Sequence, residues 1–498
     1  MGKFFVTTPI YYVNDAPHIG HAYTTILADV LSRYHRAAGD EVFFLTGLDE
    51  HGQKVKQAAQ KRGLSPQAHA DDLAPRFLDL WKTLGVQYDD FIRTTQERHK
   101  KIVQLVLQKV NENGDIYTDE YEGWYSVAEE RFITDAEYKS GRFRDVKKLK
   151  EKNYFFKMSK YQQKLIDYIQ AHPDFILPSH RKNEMMGFLR QPLGDLCISR
   201  PKARMDWGIE IPFDRDYVTY VWFDALVNYI SVPGYGSDGQ KFKKWWPADV
   251  HLIGKDILTT HCVYWPTMLF SLELSLPKTI FAHGWWLIAD TKMSKSLGNV
   301  VNPLDLIADY GVDAVRFYLM REMVLGLDAH FTPDSFIKCY NSDLANDFGN
   351  LLNRVSGLIQ KNHGGQIPQP GALTKPEEDI KQQANVLPAQ VKDLINEYKA
   401  QEAVMAVLDF VRVLNKYMET HAPWKLARTD MKGANRVLYT AAEGLRIAAI
   451  LLAPVMPGKT TQVLDILGAR KTQPVWGQLK AGSVLKAHPP LFPRIEVT

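Results

Sequence analysis

The stretch FFVTTPIYYVNDAPHIGHAYTTILADVLSRYHRAAG, residues 4–39, contains the pattern that decides the fold. Phe4–Thr8 is a short β-prone run, and the polar loop Asn14–Pro17 follows it. Beyond the loop, apolar residues recur at helical spacing up to Gly39, where a helix end is expected: Tyr23, Ile26, Leu27, Val30, Leu31 and Tyr34. The stretch therefore predicts a strand, a loop and a helix Gly20–Arg36, as in a parallel sheet with helical crossovers.

His18 and His21 lie at the N-terminus of this predicted helix. Backbone N–H groups and the helix dipole favour phosphate there. Gly20, between the two histidines, allows a flat base to approach the backbone closely. For an isolated run, two surface histidines beside a turn glycine are the simpler interpretation. The strand–loop–helix setting favours a nucleotide site.

A second informative run, KMSKS, occupies residues 292–296. Lys292 and Lys295 are cations on long flexible stems, and Ser294 and Ser296 add hydroxyl donors. Such a loop can close over a triphosphate and withdraw when product leaves. A solvated basic loop is the plainer interpretation of a short Lys/Ser run. Together, the two runs predict that a nucleoside triphosphate is held while its α-phosphate is attacked.

The HIGH run, residues 18–21, and the KMSKS run form the signature pair of class I aminoacyl-tRNA synthetases. Within that class, the chain most resembles the methionyl-tRNA synthetase family. The resemblance extends from about residue 4 to the C-terminus. It rests on five further stretches: TTPIYYVNDAPHIGH (7–21), TGLDEHG (46–52), TYVWFDALVNYI (219–230), HLIGKDILTTH (251–261) and HAPWKLA (421–427).

Composition excludes several other classes of protein. The chain has 498 residues, so about two to four domains are expected. No apolar run is long enough for a membrane span, and the N-terminus does not resemble a signal peptide, which predicts a cytoplasmic protein. The three cysteines are widely spaced, against a zinc knuckle or a disulfide framework, and the net charge of +4 is too small to identify a nucleic-acid binder.

The predicted fold class is α/β: a Rossmann-like parallel-sheet catalytic domain split by an inserted connective domain and followed by an all-α helix bundle. Five segments are expected. They are the first half of the catalytic domain (1–114), the insertion (115–215), the second catalytic half (216–283), the KMSKS loop with a region that contacts the tRNA stem (284–345), and the α-helical anticodon-binding domain (346–498).

The resemblance implies the residues of an amino-acid and ATP site. Asp49 matches the carboxylate that holds the substrate ammonium, and an apolar aromatic wall suits a thioether. The positions matching the methionine pocket are Pro9, Ile10, Tyr12, Asp49, Trp222, Ala225, Leu226, Tyr229, Ile257 and His261. The expected ATP-binding residues are Gly20, Gly254, Asp256, Ser294 and Ser296. The alternative for Trp222, Tyr229 and Ile257 is ordinary core, and for His261 a satisfied core histidine.

The resemblance implies a two-step reaction. The carboxylate of methionine attacks the α-phosphorus of ATP, which gives methionyl-adenylate and pyrophosphate, and a terminal ribose hydroxyl of tRNA(Met) then attacks the activated carbonyl. His18, His21, Lys292 and Lys295 are expected to stabilise charge on the phosphates. Mg²⁺ is expected with ATP, held by phosphate oxygens and water.

In the helical C-terminal third, Asn350 and Arg354 are four apart and share a helix face, and Pro423 and Trp424 lie at a helix break. These positions match family residues that read the tRNA anticodon, where single-stranded bases stack on aromatic rings. The alternatives are a buried core position for Trp424 and a surface ion pair for Arg354.

The chain departs from the family pattern in three respects, and each departure leads to a prediction. Ser126 and Glu129 stand where relatives have a C-x-x-C pair, so no structural zinc is expected. The insertion is too small for a hydrolytic editing domain. The chain stops soon after the bundle, without an appended barrel, which predicts a monomer.

Two other functions stay open at this stage, and a third, a catalytically inactive RNA-binding relative, is opposed by the intact His18, His21, Lys292 and Lys295. One is another class I synthetase, such as the cysteinyl or leucyl type, against which the missing cysteine ligands and editing domain argue. The other is a nucleotidyltransferase that adenylylates a small molecule, against which the anticodon-like residues argue.

Overall fold

The computed structural model describes residues 2–126, 131–133, 135–141, 145–288, 291–292, 301–470 and 472–496. The chain divides into two compact units, Met1–Trp285 and Trp286–Thr498.

The first unit is built on a parallel sheet. Its strands read as nearly continuous apolar runs, and Phe5, Val6, Phe44 and Leu45 are fully buried. This pattern is typical of parallel sheets covered by helices on both faces. The strands in spatial order are Tyr11–Tyr12, Glu41–Asp49, Lys3–Thr7, Val250–Gly254, Thr279–His283 and Ile176–Leu177, and Asp90–Arg93 also pairs with Glu41–Asp49.

Lys3–Thr7 lies at the centre of this sheet. On one side it pairs with Glu41–Asp49, which follows it in the chain, and on the other side with Val250–Gly254. The strand order therefore reverses at Lys3–Thr7. In open α/β sheets, ligands bind in the crevice at the carboxyl ends of the strands where this reversal occurs.

Helices surround the sheet and fill the connections of the first unit. A 3₁₀ turn, Lys255–Ile257, and a π-helical segment, Thr260–Tyr264, follow the strand Val250–Gly254. The remaining helical segments are Ile19–Ala37, Gln53–Lys61, Pro66–Thr83, Glu97–Glu112, Asp135–Lys139, the 3₁₀ turn Met158–Tyr161, Gln162–Ala171, Ser179–Phe188, Val221–Leu226, Asn228–Ser231, Gly239–Trp245 and Trp265–Ser271.

The region predicted as an insertion, 115–215, is mostly antiparallel. Its main feature is a long hairpin in which Ile116–Ser126 pairs with Val146–Phe156 over the full length of both strands. Ile176–Leu177 belongs to the same region but pairs in parallel with Thr279–His283 of the main sheet. The other strands of this region are Arg131–Ile133, Leu196–Cys197, Ser199–Pro201, Glu210–Ile211 and Asp214–Thr219.

The second unit is largely helical and has one small sheet. That sheet joins Trp286–Ile288 to Thr291–Lys292 and to Ala329–His330. The helices are Pro303–Tyr310, Val312–Glu322, Pro333–Cys339, the π-helical Tyr340–Gly349, Asn350–His363, Lys375–Asn396, Ala400–His421, Pro423–Leu426, Met431–Leu452 and Pro457–Ile466.

The predicted fold class is confirmed: an α/β unit with a mostly parallel sheet precedes a helical unit. The predicted helix Gly20–Arg36 is observed as Ile19–Ala37, and the chain takes a positive φ of 90° at Gly39 just after it. The helical run from Pro333 to His363 contains π-helical turns at Tyr340–Gly349. The five-part domain division itself stays a prediction.

Candidate active site

Two histidines cap the helix that follows the central strand. His18 is the N-cap residue of Ile19–Ala37, and its Nδ1 accepts a hydrogen bond from the backbone N–H of Gly20 at 3.1 Å. Nδ1 of His21 accepts one from the backbone N–H of His18, also at 3.1 Å. These are reciprocal bonds of the capping-box type, made here by imidazoles instead of a hydroxyl and a carboxylate.

This capping fixes the tautomer of both neutral rings. A nitrogen that accepts a hydrogen bond carries no proton, so Nδ1 of each ring is bare and Nε2 carries the hydrogen. The two ring centroids are 3.9 Å apart, so both Nε2–H donors belong to one small region at the start of the helix. An anion at this position meets oriented donors together with the positive end of the helix dipole.

Gly20 is required by the histidine beside it. A Cβ at this position would lie 2.9 Å from Cε1 and 3.1 Å from Nδ1 of His18. A side chain at residue 20 would therefore displace the imidazole that caps the helix, in addition to obstructing a base.

A buried tyrosine that the sequence analysis did not single out packs against the ring of His21. Tyr11 presents its ring to His21 at 4.9 Å between centroids, with an interplanar angle of 74°. The phenol oxygen of Tyr11 lies 2.7 Å from Oγ1 of Thr25, one turn further along the helix. Tyr11 thereby fixes the position of the second histidine.

The residues predicted for the substrate ammonium and for one wall of its pocket meet at the sheet edge. Asp49 is the last residue of the strand Glu41–Asp49 and is only 5% exposed. Tyr12 lies directly opposite Asp49 in the parallel pairing of Tyr11–Tyr12 with that strand. Pro9 and Ile10 immediately precede this pair and are half-buried.

The opposite group of predicted pocket residues is held by buried hydrogen bonds. Nδ1 of His261 lies 2.9 Å from the carbonyl oxygen of Ile257, which can only accept, so Nδ1 carries the proton. Nε2 of His261 therefore accepts from the hydroxyl of Tyr229, 2.8 Å away. Trp222 meets the His261 ring edge-on at 6.0 Å.

Burial keeps His261 neutral. Removal from water lowers its pKa from 6.5 to about 4, because the loss of hydration outweighs the opposite effects of the Ile257 carbonyl and the Asp256 charge. A neutral ring that already has its proton donated and its lone pair occupied offers an apolar, polarisable face, which suits a thioether.

The predicted pocket residues differ in how much surface they can offer a ligand. Ile10, Tyr12, Trp222 and Ile257 are partly buried side chains packed against the hydrophobic core. Leu226 and Tyr229 belong to that core and are 1% exposed, and Ala225 is 3% exposed. The four partly buried side chains have surface left to cover a substrate, whereas the other three have almost none.

Two of the predicted nucleotide residues, Gly254 and Asp256, lie at the end of the strand Val250–Gly254. Gly254 ends Val250–Gly254, and a Cβ there would lie 2.6 Å from Oδ1 of Asp256. Asp256 is exposed and accepts a hydrogen bond from the indole of Trp285 at 3.1 Å. His283, at the end of the next strand, lies 2.7 Å from Oγ1 of Thr24 and so ties the His18–His21 helix to the same edge.

The lysine-serine loop lies mostly outside the described residues. Lys292 is in the short strand Thr291–Lys292, where its backbone pairs with Leu287. Ser294, Lys295 and Ser296 fall in 293–300, outside the described part of the chain. Their predicted roles stay predictions.

In the second unit, the residues predicted for the anticodon come together. Asn350 and Arg354 lie one turn apart on Asn350–His363. The guanidinium of Arg354 lies over the ring of Trp424, 5.3 Å from its centroid. Trp424 is 39% exposed and Pro423 beside it is buried, so Trp424 is not a core residue, contrary to the alternative considered from the sequence.

Two further groups of buried histidines escaped the sequence analysis. His251 stacks on Tyr229 at 4.1 Å and is bonded to Thr7 at 2.8 Å, so it supports Tyr229, one of the predicted pocket residues. His51 and His99 both contact Asp224. His51 and His251 fall inside stretches quoted for the family resemblance, which was the only signal the sequence offered for either.

Two kinds of feature are absent from the described ranges, a metal-ligand cluster and a membrane-spanning helix. No three His, Cys, Asp or Glu side chains among those residues are close enough to hold a metal ion. Ser126 is buried at a strand end, whereas Glu129 lies in 127–130, outside the described residues. None of the helices described is long and apolar enough to cross a bilayer. The three cysteines are buried free thiols.

Comparison with known families matches nearly the whole chain. A family model described as tRNA synthetases class I (M) matches residues 4–141 and 143–356. A second, described as the anticodon binding domain of methionyl tRNA ligase, matches residues 367–496.

Curated relatives and solved structures agree with these matches. Methionine–tRNA ligase of Caldanaerobacter subterraneus is 44% identical over 99% of this chain and 79% of its own length. The same enzyme of Fusobacterium nucleatum is 46% identical over 99% of this chain and 80% of its own. Mycobacterium tuberculosis methionyl-tRNA synthetase in complex with methionyl-adenylate superposes with a TM-score of 0.95 at 38% identity, covering 99% of this chain and 100% of that chain.

Proposed function

Because this chain belongs to the methionyl-tRNA synthetase family of class I tRNA synthetases, we propose that it attaches methionine to tRNA(Met) at the expense of ATP. The reaction passes through methionyl-adenylate and releases pyrophosphate and AMP. The observation that carries this proposal is the arrangement at the sheet reversal, where a histidine-capped helix and the Asp49–Tyr12 edge share the carboxyl ends of adjacent strands.

Methionine binds through its ammonium and its side chain separately. The carboxylate of Asp49 accepts charge-assisted hydrogen bonds from the ammonium. The thioether lies against the partly buried wall of Trp222, Tyr12, Ile10 and Ile257, with the neutral His261 and Tyr229 behind it. Pro9, Ala225 and Leu226 complete the shape of the pocket.

ATP binds with its phosphates at the histidine-capped helix. The Nε2–H groups of His18 and His21 donate to phosphate oxygens, and Gly20 leaves the space they need. Gly254 and Asp256 border the nucleoside at the neighbouring strand end. From the KMSKS loop, Lys292 and Lys295 neutralise the β- and γ-phosphates and Ser294 and Ser296 supply hydroxyl donors.

Mg²⁺ enters as part of the substrate. We expect the cation to be held by phosphate oxygens and water.

The chemistry requires positioning more than a protein nucleophile. In the first step, a carboxylate oxygen of methionine forms a bond to the α-phosphorus while the bond to the pyrophosphate oxygen breaks. In the second, the tRNA ribose hydroxyl adds to the methionyl carbonyl and AMP leaves. Donors oriented toward the phosphates before the reaction stabilise the charge that develops on them without reorganising.

The tRNA is recognised at its anticodon by the second unit. The exposed ring of Trp424 offers a stacking surface, and Arg354 over that ring adds charge and planar donors. Asn350, one turn away on the same helix, reads a base edge.

Oligomeric state and location belong to the proposal as well. We infer a monomeric cytoplasmic enzyme without structural zinc. Analytical ultracentrifugation tests the oligomeric state, and elemental analysis tests the zinc content.

The decisive experiment is amino-acid-dependent exchange of pyrophosphate into ATP, with each of the twenty amino acids, with and without tRNA. Exchange that depends on methionine supports the proposal. Exchange driven by another amino acid indicates a different class I synthetase, and exchange driven only by a non-amino-acid acceptor indicates a small-molecule nucleotidyltransferase.

A further inference from the structure

A buried carboxylate between two imidazoles lies beneath the proposed methionine pocket. Oδ2 of Asp224 is 2.7 Å from Nδ1 of His51, and Oδ1 of Asp224 is 2.8 Å from Nε2 of His99. Asp224 and His99 are 0% exposed and His51 is 4% exposed. None of the three has a part in the reaction described above.

The cluster joins the segments that carry the pocket. His51 follows Asp49 by two residues, and Asp224 follows Trp222 by two residues on the helix Val221–Leu226. His99 belongs to Glu97–Glu112, and its Nδ1 is 3.0 Å from Oγ of Ser231, on the helix that also carries Tyr229. The carboxylate of Asp224 thus links three segments. They are the end of the strand Glu41–Asp49 and the helices Val221–Leu226 and Asn228–Ser231.

The buried charge of Asp224 and its two hydrogen bonds hold the cluster in one arrangement. Burial by itself raises the pKa of Asp224, but the charges and hydrogen bonds of His51 and His99 outweigh burial and hold that pKa below its usual value. Removing one partner of an ionised buried carboxylate costs much more stability than removing a partner of an exposed carboxylate. Each of its two oxygens therefore keeps its imidazole in place.

A second contact braces the same loop from its other side. The indole N–H of Trp207 donates to the carbonyl oxygen of Glu50 at 2.6 Å, and its ring meets His51 edge-on at 5.3 Å. Residues 49–51 are therefore held between the helix Val221–Leu226 and Trp207, and they have little freedom to move relative to that helix.

We infer that Asp224 and His51 are positioning residues that set the distance between Asp49 and the Trp222 wall, and thereby the length of amino acid the pocket accepts. This inference rests on the proposed function. The ammonium contact is common to all amino acids, so side-chain length is read only if the carboxylate and the wall are fixed relative to one another. If this link is loosened, methionine binds more weakly and the pocket discriminates less against longer or shorter amino acids. ATP binding stays largely unaffected.

The test is a pair of substitutions at His51. His51→Ala removes the donor, whereas His51→Asn keeps an N–H close to the position of Nδ1. In methionine-dependent pyrophosphate exchange, we expect His51→Ala to raise the KM for methionine about 10-fold or more, with the KM for ATP within about 2-fold. The relative kcat/KM for ethionine, one methylene longer, should rise, and His51→Asn should restore both values toward those of the unsubstituted chain.

A matched control separates positioning from general stability. Asp115 is also a buried carboxylate that bridges two segments, with Lys160 at 2.6 Å and Ser271 at 2.8 Å, and it contacts no residue of the proposed pocket. Asp115→Asn should lower the melting temperature and leave the KM for methionine unchanged. Asp224→Asn is expected to resemble His51→Ala if it folds.

Three results would overturn the inference: an unchanged KM for methionine in folded His51→Ala, no rescue by His51→Asn, or an equal rise in Asp115→Asn. If the unsubstituted chain exchanges with another amino acid, the proposed function fails. The KM for that amino acid then tests the positioning role independently.

Discussion

The hydroxyl of Tyr229 donates to Nε2 of His261 across 2.8 Å of the protein interior, and both side chains are 1% exposed. The bond requires a neutral imidazole, since Nδ1 already donates to Ile257. A charged His261 would carry a proton on Nε2, so the hydroxyl of Tyr229 could no longer donate to it, and a cation would lie in the buried interior. The proposed thioether wall therefore depends on a histidine that stays uncharged.

Stability should fall as the pH is lowered through the range in which this histidine titrates. The pKa of His261 is lowered by burial from 6.5 to about 4, so between these values the unfolded chain binds a proton that the folded chain does not. The stabilising contribution of neutral His261 is fully present above the pKa that it has in the unfolded chain. It is lost as the pH falls toward the pKa that it has in the folded chain. We expect a loss of about 2 kcal/mol from this group between pH 7 and pH 5.

Urea unfolding of the intact chain and of His261→Gln at the two pH values measures this contribution. The substitution should flatten the pH dependence, whatever it does to stability at pH 7. His172→Gln, at an exposed position, serves as the control and should leave the slope unchanged. An equal slope in all three proteins would contradict the prediction.

Asp49→Asn should weaken methionine binding. The substitution keeps the size of the side chain and removes the charge that attracts the ammonium, a contact typically worth about 1.5–3 kcal/mol. Calorimetric titration with methionine should show affinity lower by roughly 10- to 100-fold, with ATP binding preserved. Asp72→Asn, an exposed carboxylate paired with Arg62, provides the matched control. Undiminished affinity would remove Asp49 from the site.

Lys295→Ala should slow activation far more than it weakens methionine binding. A cation that grips the departing pyrophosphate contributes mainly in the transition state, so the exchange rate should drop about 100-fold or more. Pyrophosphate exchange at saturating methionine gives the rate, and calorimetry gives the affinity. Lys82→Ala, on the exposed face of Pro66–Thr83, should behave like the original chain. Normal exchange in Lys295→Ala would refute the role.

Trp424→Ala should impair charging of tRNA and leave methionine activation intact. Loss of a stacked base costs about 1–3 kcal/mol, so kcat/KM for tRNA(Met) should fall roughly 10- to 100-fold. Aminoacylation and tRNA-independent exchange are measured on the same preparation. Val386→Ala, which alters another exposed apolar side chain of the second unit, should change neither. Charging at the original efficiency would show that Trp424 does not contact the anticodon.

Purified protein should contain little zinc. Ser126 replaces a thiolate at the first expected ligand position, and a structural zinc site requires four strong ligands. Elemental analysis should give less than about 0.1 zinc per chain, and a chelator should not shift the melting temperature. A content near one zinc per chain would show that other residues supply the ligands.

The sequence predicted elements with strong periodicity well. The helix Ile19–Ala37 has regular apolar spacing, a loop before it and Gly39 after it, and its predicted bounds were right within one residue at each end. The strand Ile176–Leu177 could not be found, because two residues carry no period and its partner, Thr279–His283, is about a hundred positions away. The π-helical turns of Thr260–Tyr264 likewise lack any sequence pattern that separates them from an α-helix.

The candidate site was predictable to the extent that motifs are local. His18, Gly20 and His21 act through their own helix turn, and their proximity follows from spacing alone. The link between His51 and Asp224 joins residues 173 positions apart, and each is unremarkable in its own segment. Pairings of this kind follow from the tertiary fold and are visible only in the structure.

The central place of Lys3–Thr7 in the sheet has a consequence during synthesis on the ribosome. The backbone N–H of Phe5 is bonded to the carboxylate of Asp249 at a separation of 244 positions. At roughly 5–20 residues per second, Lys3–Thr7 waits about ten to fifty seconds for its second neighbour. Throughout that time the nascent chain exposes one unpaired edge of this strand, so the strand of the sheet that is made before the others is among the last to complete its pairing.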